Sequence, residues 1–180
     1  GQPPITPATP VAEPVSFDNK NPSSVSVTIA GSGGAGTNLG RPFIGDARLS
    51  HVLYFDTSMT NSRPGESVYI LANGSGSGGS RAANAGEVQK NISSLTNQDM
   101  GLTDVAIVTF SLSSGSGSVI GPLMIREYAR RGARVIALVI ADTSYTVGAK
   151  NTLNTLKTLT AICKNNDINL PMIVLSNDNP

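Results

Sequence analysis

The chain has 180 residues, 39% hydrophobic and 14% charged, with 13 Lys+Arg against 12 Asp+Glu for a formal net charge of +1; that is enough for one domain with a real core. A near-neutral balance gives no general pull toward nucleic acid or membrane surfaces. Aromatics at 4% and no Trp argue against base-stacking platforms, and no apolar run reaches the roughly 18–20 residues that span a bilayer. The single Cys163 cannot form an internal disulfide, which fits a reducing cytoplasm. Gly1 in place of Met marks a processed chain or a fragment.

Six of the 11 prolines fall in residues 1–22, "GQPPITPATPVAEPVSFDNKNP". This composition predicts an extended, semi-rigid strip over residues 1–24, outside any core, ahead of one domain over 25–180. Prolines limit the entropy lost on docking, so the strip is expected to lie along another copy or another protein of an assembly.

From Val25 apolar strands alternate with amphipathic helices. "VSVTIA", "HVLYFD" and "SVYIL" read as strands, with Val25, Val27 and Ile29 on one side of the first. A helix is expected within Ala82–Leu95, then the strand "DVAIVTF". A helix starting near Ser118 places Ile120, Leu123, Met124 and Tyr128 on one side, with Pro122 expected near its first turn. The strand "RVIALVI" follows, then a helix carrying Leu153, Leu156, Leu159 and Ile162, and the strand "PMIVLS". This alternation predicts right-handed β-α-β units: a parallel, three-layer α/β sheet covered on both faces.

Ligands of such sheets bind beyond the carboxyl ends of the strands. Three Gly/Ser-rich segments stand there: "GSGGAGTN" (31–38), "ANGSGSGGSR" (72–81) and "SLSSGSGSV" (111–119). Small residues let another group approach the backbone, and the first N–H groups of a following helix favour an anion. A flexible linker is the alternative, but it would have to recur three times on one edge. Gly31–Gly36 fits G-x-G-x-x-G, with Asp56 available for a ribose. A dinucleotide enzyme needs one such loop, however, and three suit a triphosphate better. The pattern G-x-x-x-x-G-K-[ST] is absent.

The ordered segments "GGAGTN" (Gly33–Asn38), "GSGSGGSRAANAG" (Gly74–Gly86) and "SSGSGSVIGP" (Ser113–Pro122) resemble the three phosphate loops of the tubulin/FtsZ superfamily. With "FDTS", "NTLKTL" and "VLSNDNP", they are most similar to the tubulins of large bacteriophages, over residues 25–180. The resemblance implies the nucleotide-binding (Rossmann-like) domain of that superfamily, with GTP or GDP and Mg²⁺ as cofactors. It implies that Gly33, Gly34 and Gly36 wrap the diphosphate and that Asn38 turns its amide toward the base. Gly76, Gly78, Gly79 and Ser80 would face the γ-phosphate. Ser114, Gly115, Ser116, Gly117 and Ser118 would seat the α- and β-phosphates. Asn177 matches the guanine-reading Asn, whose amide both donates and accepts. Asp56 would orient Mg²⁺ through water.

Several positions depart from the family pattern. Ser113, Ser114 and Val119 replace signature glycines, adding a Cβ where freedom of φ is lost. Val147 precedes Gly148 where the cellular family has Glu, and Asn151 takes the place of that loop's Arg, keeping its expected position at the nucleotide. The family's second domain carries the acidic loop that activates water, and this sequence stops at Pro180 before it. These residues alone are therefore expected to bind GTP but hydrolyse it negligibly.

Two functions follow. One is a phage tubulin-like GTP-binding domain in a self-associating assembly or filament of the host cytoplasm. The other is a structural protein of a virion or other assembly that keeps the fold without nucleotide. A nicotinamide-dependent oxidoreductase is a third, with no substrate domain or catalytic pair in view. His51 reads as a structural or surface histidine, Cys163 as core packing, and Arg126, Arg130, Arg131 and Arg134 as a helix C-terminal charge cluster.

Overall fold

The apolar runs pair as six parallel strands: β1 (Val27–Ser32), β2 (His51–Asp56), β3 (Val68–Ile70), β4 (Val105–Ser111), β5 (Arg134–Ala141) and β6 (Met172–Ser176). The helices are α1 (Gly33–Gly40), α2 (Arg81–Ser93), α3 (Gly117–Arg130) and α4 (Thr146–Asn165). This computed structural model describes residues 24–72, 81–142 and 146–176. The N-terminal strip, Gly76, Gly78, Gly79, Ser80 and Asn177 lie outside the described residues.

Strand order is β3-β2-β1-β4-β5-β6. The chain starts at β1, winds outward through β2 to β3, then returns to place β4 on the other side of β1. That reversal puts a crevice beyond the carboxyl ends of β1 and β4, where doubly wound sheets hold ligands. The register Ala30↔Val108 and Val108↔Ala137 centres the core. Phe55, Phe110, Ile120, Met124, Ile125 and Tyr128 are fully buried there, each worth roughly 1.5–3 kcal/mol in area removed from water. Outer strand β6 differs: Met172, Ile173, Val174 and Leu175 are exposed among the described residues.

The predicted parallel α/β sheet is the one observed, with three local differences. The first strand begins at Val27, two residues late, and is buried on both faces, so Val25 belongs to the approach. The first glycine-rich segment is expected as a loop, but from Gly33 it is α1. Glycine is a poor helix former, so tertiary packing decides. A Cβ on Gly36 would fall inside the Thr109 carbonyl, and the Thr109 hydroxyl donates to the Gly36 carbonyl at 2.7 Å. Pro122 sits in the second turn of α3, not the first. Its ring takes away the donor that the Ser118 carbonyl would otherwise receive.

The expected face of α4 holds at Leu156 and Leu159, which pack on the core, but not at Leu153. Thr152, Thr155 and Leu159 face inward, while Leu153 is 53% exposed. The fully buried Thr155 donates its hydroxyl to the Leu112 carbonyl at 2.7 Å, and that bond fixes the helix's rotation.

At the other end of α3 the basic cluster has a purpose the sequence reading did not single out. Glu127 is only 3% exposed and accepts from Arg131 at 2.7 Å and from Arg130. Burial pushes its pKa up, but the two guanidiniums outweigh this and hold it below the ordinary value. Glu127→Gln is expected to cost about 2 kcal/mol in urea denaturation at pH 7, as charge-assisted hydrogen bonds are lost. A depressed acid stabilises above its ordinary value and loses that contribution as pH falls through the folded one. The difference between wild type and variant should therefore shrink below pH 4.5.

Candidate functional site

Beyond the ends of β1 and β4, the first and third small-residue segments touch. Gly33 has φ +72°, and a Cβ on it would lie 2.7 Å from the Gly117 nitrogen and 2.8 Å from its Cα. A Cβ on Gly117 would lie 2.8 Å from the Ser32 carbonyl oxygen. Only glycine permits this approach at both places, so α1 and α3 start side by side. The N-terminus of α3 carries no side-chain cap and no acidic residue in its first turn. The Ser118 and Val119 N–H groups close the first turn on the Ser114 and Ser116 carbonyls, at 3.3 and 3.1 Å, so the positive end of the helix is presented mainly at Gly117.

The loop Leu112–Ser116 leading into α3 is held from both sides. The Ser111 hydroxyl oxygen accepts the N–H groups of Ser113 and Ser114, each at 3.2 Å. From α4, Asn151 donates its amide to the Ser113 carbonyl at 3.3 Å, and Thr155 donates to Leu112. Gly115, Ser116, Gly117 and Ser118 follow at the helix start, where the Ser118 hydroxyl donates to the Gly115 carbonyl at 3.2 Å.

Asp56 ends β2 at 5% exposure. Its carboxylate accepts the Thr57 N–H at 2.7 Å and the side chains of Ser116 and Asn61. Burial still dominates and raises its pKa. The charged form is thus disfavoured in the fold, so Asp56 costs stability at neutral pH and that cost is relieved as pH falls through the raised value. Asp56→Asn is expected to melt higher than wild type at pH 7, with the gap closing toward pH 4. Thermal melts across pH would show the opposite if this carboxylate were stabilising.

Two further polar groups stand at these strand ends. The hydroxyls of Ser32 and Thr57 are buried with no hydrogen-bond partner among the described residues. Such groups carry a desolvation cost unless something fills the crevice. Ser32 stands among the glycines of the first segment and Thr57 in "FDTS", but neither hydroxyl is assigned a role by the sequence. The sequence reading also passed over Asn61. A Cβ on Gly34 would lie 2.7 Å from Asn61 Nδ2, which ties the segment after β2 to α1 as well as to Asp56. The carboxyl-end rule alone would have pointed to it.

Asn38 is exposed on α1, and its amide oxygen accepts from Arg41. That guanidinium also bonds the Asn61 carbonyl and pairs with Glu66 at 2.8 Å. With its oxygen engaged by Arg41, the exposed Asn38 side chain has its NH₂ to offer as a donor. Gly36, by contrast, lies against β4, packing α1 onto the sheet. The structure thus brings together Gly33, Gly34, Asp56, Ser116, Gly117 and, through Ser113, Asn151. Among the described residues no group of three His, Cys, Asp or Glu could hold a metal. Asp56 is a lone carboxylate, which suits an ion that keeps most of its water. His51 is exposed at the opposite end of β2, and Cys163 is half-buried on α4 with its thiol pKa raised by burial.

Sheet order, the α1–α3 glycine contact and the uncapped α3 together define a doubly wound α/β domain with its crevice beyond β1 and β4. No family model matches the chain. It is 31% identical over 153 residues to a phage tubulin-like protein of Pseudomonas phage 201phi2-1, covering 83% of this chain and 47% of that protein. It superposes on the phage tubulin PhuZ, solved with GDP, at TM-score 0.74 and 30% identity, covering 85% of this chain and 49% of that one. A protofilament of TubZ from bacteriophage PhiKZ matches at TM-score 0.72 and 25% identity, over 86% of this chain and 50% of that one. The chain belongs to the tubulin/FtsZ superfamily, close to the phage tubulins, and spans about half the length of these relatives. No helix among the described residues is long and apolar enough to cross a membrane.

Proposed function

We propose that this domain binds a guanine nucleotide beyond β1 and β4 and works within a self-associating assembly or filament. The observation that carries the reading is the close approach of Gly33 to Gly117, which sets the glycine-rich start of α1 against the uncapped start of α3, a helix end of the kind that favours a phosphate. Gly33, Gly34 and the Gly115–Ser118 stretch hold the α- and β-phosphates. Gly76, Gly78, Gly79 and Ser80 serve the γ-phosphate, and Asn38 and Asn177 the base. Asp56 orients hydrated Mg²⁺, which supplies charge neutralisation between phosphates. Support comes from PhuZ, solved with GDP, and from TubZ, solved as a protofilament.

Two measurements test the two halves. Displacement of a fluorescent GDP analogue should be far stronger with GDP than with guanosine, because the phosphates supply most of the contacts. Equal potency would remove the phosphate seat. Sedimentation velocity over a concentration series should show growing species with GTP and Mg²⁺, and a monomer throughout would remove self-association.

A second reading is favoured by one observation. The N–H groups of Ser113 and Ser114 turn inward to Ser111, which suits a structural protein that keeps the fold without nucleotide.

A further inference from the structure

The structure assigns Ser111 the role of positioning residue for the phosphate loop: its hydroxyl replaces a bound ligand as the template that holds Leu112–Ser116 in shape. This rests on the nucleotide reading. Leu112–Ser116 contains Ser113-Ser114-Gly115-Ser116, which has little side-chain bulk to pack. Left alone, such a stretch samples many conformations and must lose them when an anion arrives.

Here every anchor is internal. Ser111 is 5% exposed and Leu112 only 1%, and the Leu112 N–H donates to the Ile140 carbonyl at 2.9 Å, so the loop's root is fixed. Ser111 Oγ then collects two successive N–H groups and pairs with the Ser113 hydroxyl at 3.2 Å. From the opposite side Thr155 and Asn151 take the carbonyls of Leu112 and Ser113. Donors are gathered by β4 and acceptors by α4. Neither set reaches Gly117, where α3 opens uncapped. The inward-turned donors of Ser113 and Ser114 thus set the loop's path, while the anion is received one step further on.

The test compares wild type, Ser111→Ala and Ser111→Thr in the full chain. Amide hydrogen exchange at Ser113 and Ser114 should quicken about fivefold in Ser111→Ala, as each amide loses one hydrogen bond. GDP affinity should fall about tenfold, with guanosine affinity unchanged, since only the phosphate seat is loosened. Ser111→Thr, which keeps the hydroxyl, should restore both. Unchanged exchange in Ser111→Ala overturns the proposal. So does tighter GDP binding, which would make Ser111 a plug instead of a template. A wild type that takes no GDP overturns the nucleotide reading, while the exchange comparison still decides whether Ser111 holds the loop.

Discussion

Gly36→Ala is expected to cost about 3 kcal/mol of folding stability, the upper end for overpacking a well-filled site. The added methyl has nowhere to go: it would meet the carbonyl of Thr109 on one side and the Gly31 carbonyl carbon, at 3.3 Å, on another. Both obstacles are backbone in the middle of the sheet, so no rotamer change relieves them. Relief requires α1 to lift off β4, which breaks the 2.7 Å bond from Thr109 to the Gly36 carbonyl. Gly86→Ala is the matched control. It lies within α2 with nothing within 4 Å of its Cβ position, so alanine should stabilise by about 0.5–1 kcal/mol through helix propensity. Urea denaturation of both variants gives opposite signs if the close approach of α1 to β4 is real. A Gly36→Ala midpoint equal to wild type would mean that α1 does not pack as described.

Gly33→Ala is expected to weaken GDP binding at least about 100-fold, roughly 2.7 kcal/mol, with the fold retained. Its methyl would press on the nitrogen and Cα of Gly117, pushing the start of α3 from the crevice it is meant to face. The left-handed backbone at φ +72° adds a further penalty of about 1–2 kcal/mol. Gly45→Ala separates the two effects. It shares the backbone strain, at φ +84°, but has nothing within 4 Å, so it should lose comparable stability and keep its affinity for GDP. Equal binding by Gly33→Ala and wild type would place the phosphates somewhere else.

The parallel sheet was legible because each strand is a short apolar run between turns, and DVAIVTF or RVIALVI needs no partner to be read. The crevice was legible because strand-end position and small residues both point to it. What the sequence concealed were consequences of packing. Residues 33–40 contain four glycines and carry no helical signal. They become α1 because only glycine fits beneath Tyr54 and against Thr109. The spacing of Leu153, Leu156 and Leu159 indicates one buried face, which holds at Leu156 and Leu159, while at the start of α4 Thr152 and Thr155 turn inward in place of Leu153. Asn61 belongs to no motif, and Ser32 and Thr57 sit inside quoted segments with no role of their own, so only their place near the ends of β1 and β2 gives them meaning. Ser111 looked like one more small residue, and its role lies in two N–H groups that no sequence displays.

Calorimetric titration of the chain with GDP and Mg²⁺, at a protein concentration of about 100 μM, decides whether the crevice beyond β1 and β4 takes a nucleotide. Saturable heat for one site is expected, with a Kd tighter than about 100 μM, or roughly −5.5 kcal/mol. ATP should bind at least about tenfold more weakly, the discrimination of about 1.4 kcal/mol expected from amides set to read guanine. No saturable heat with GDP or GTP under these conditions would contradict nucleotide binding and leave a tubulin-like fold that serves an assembly without nucleotide.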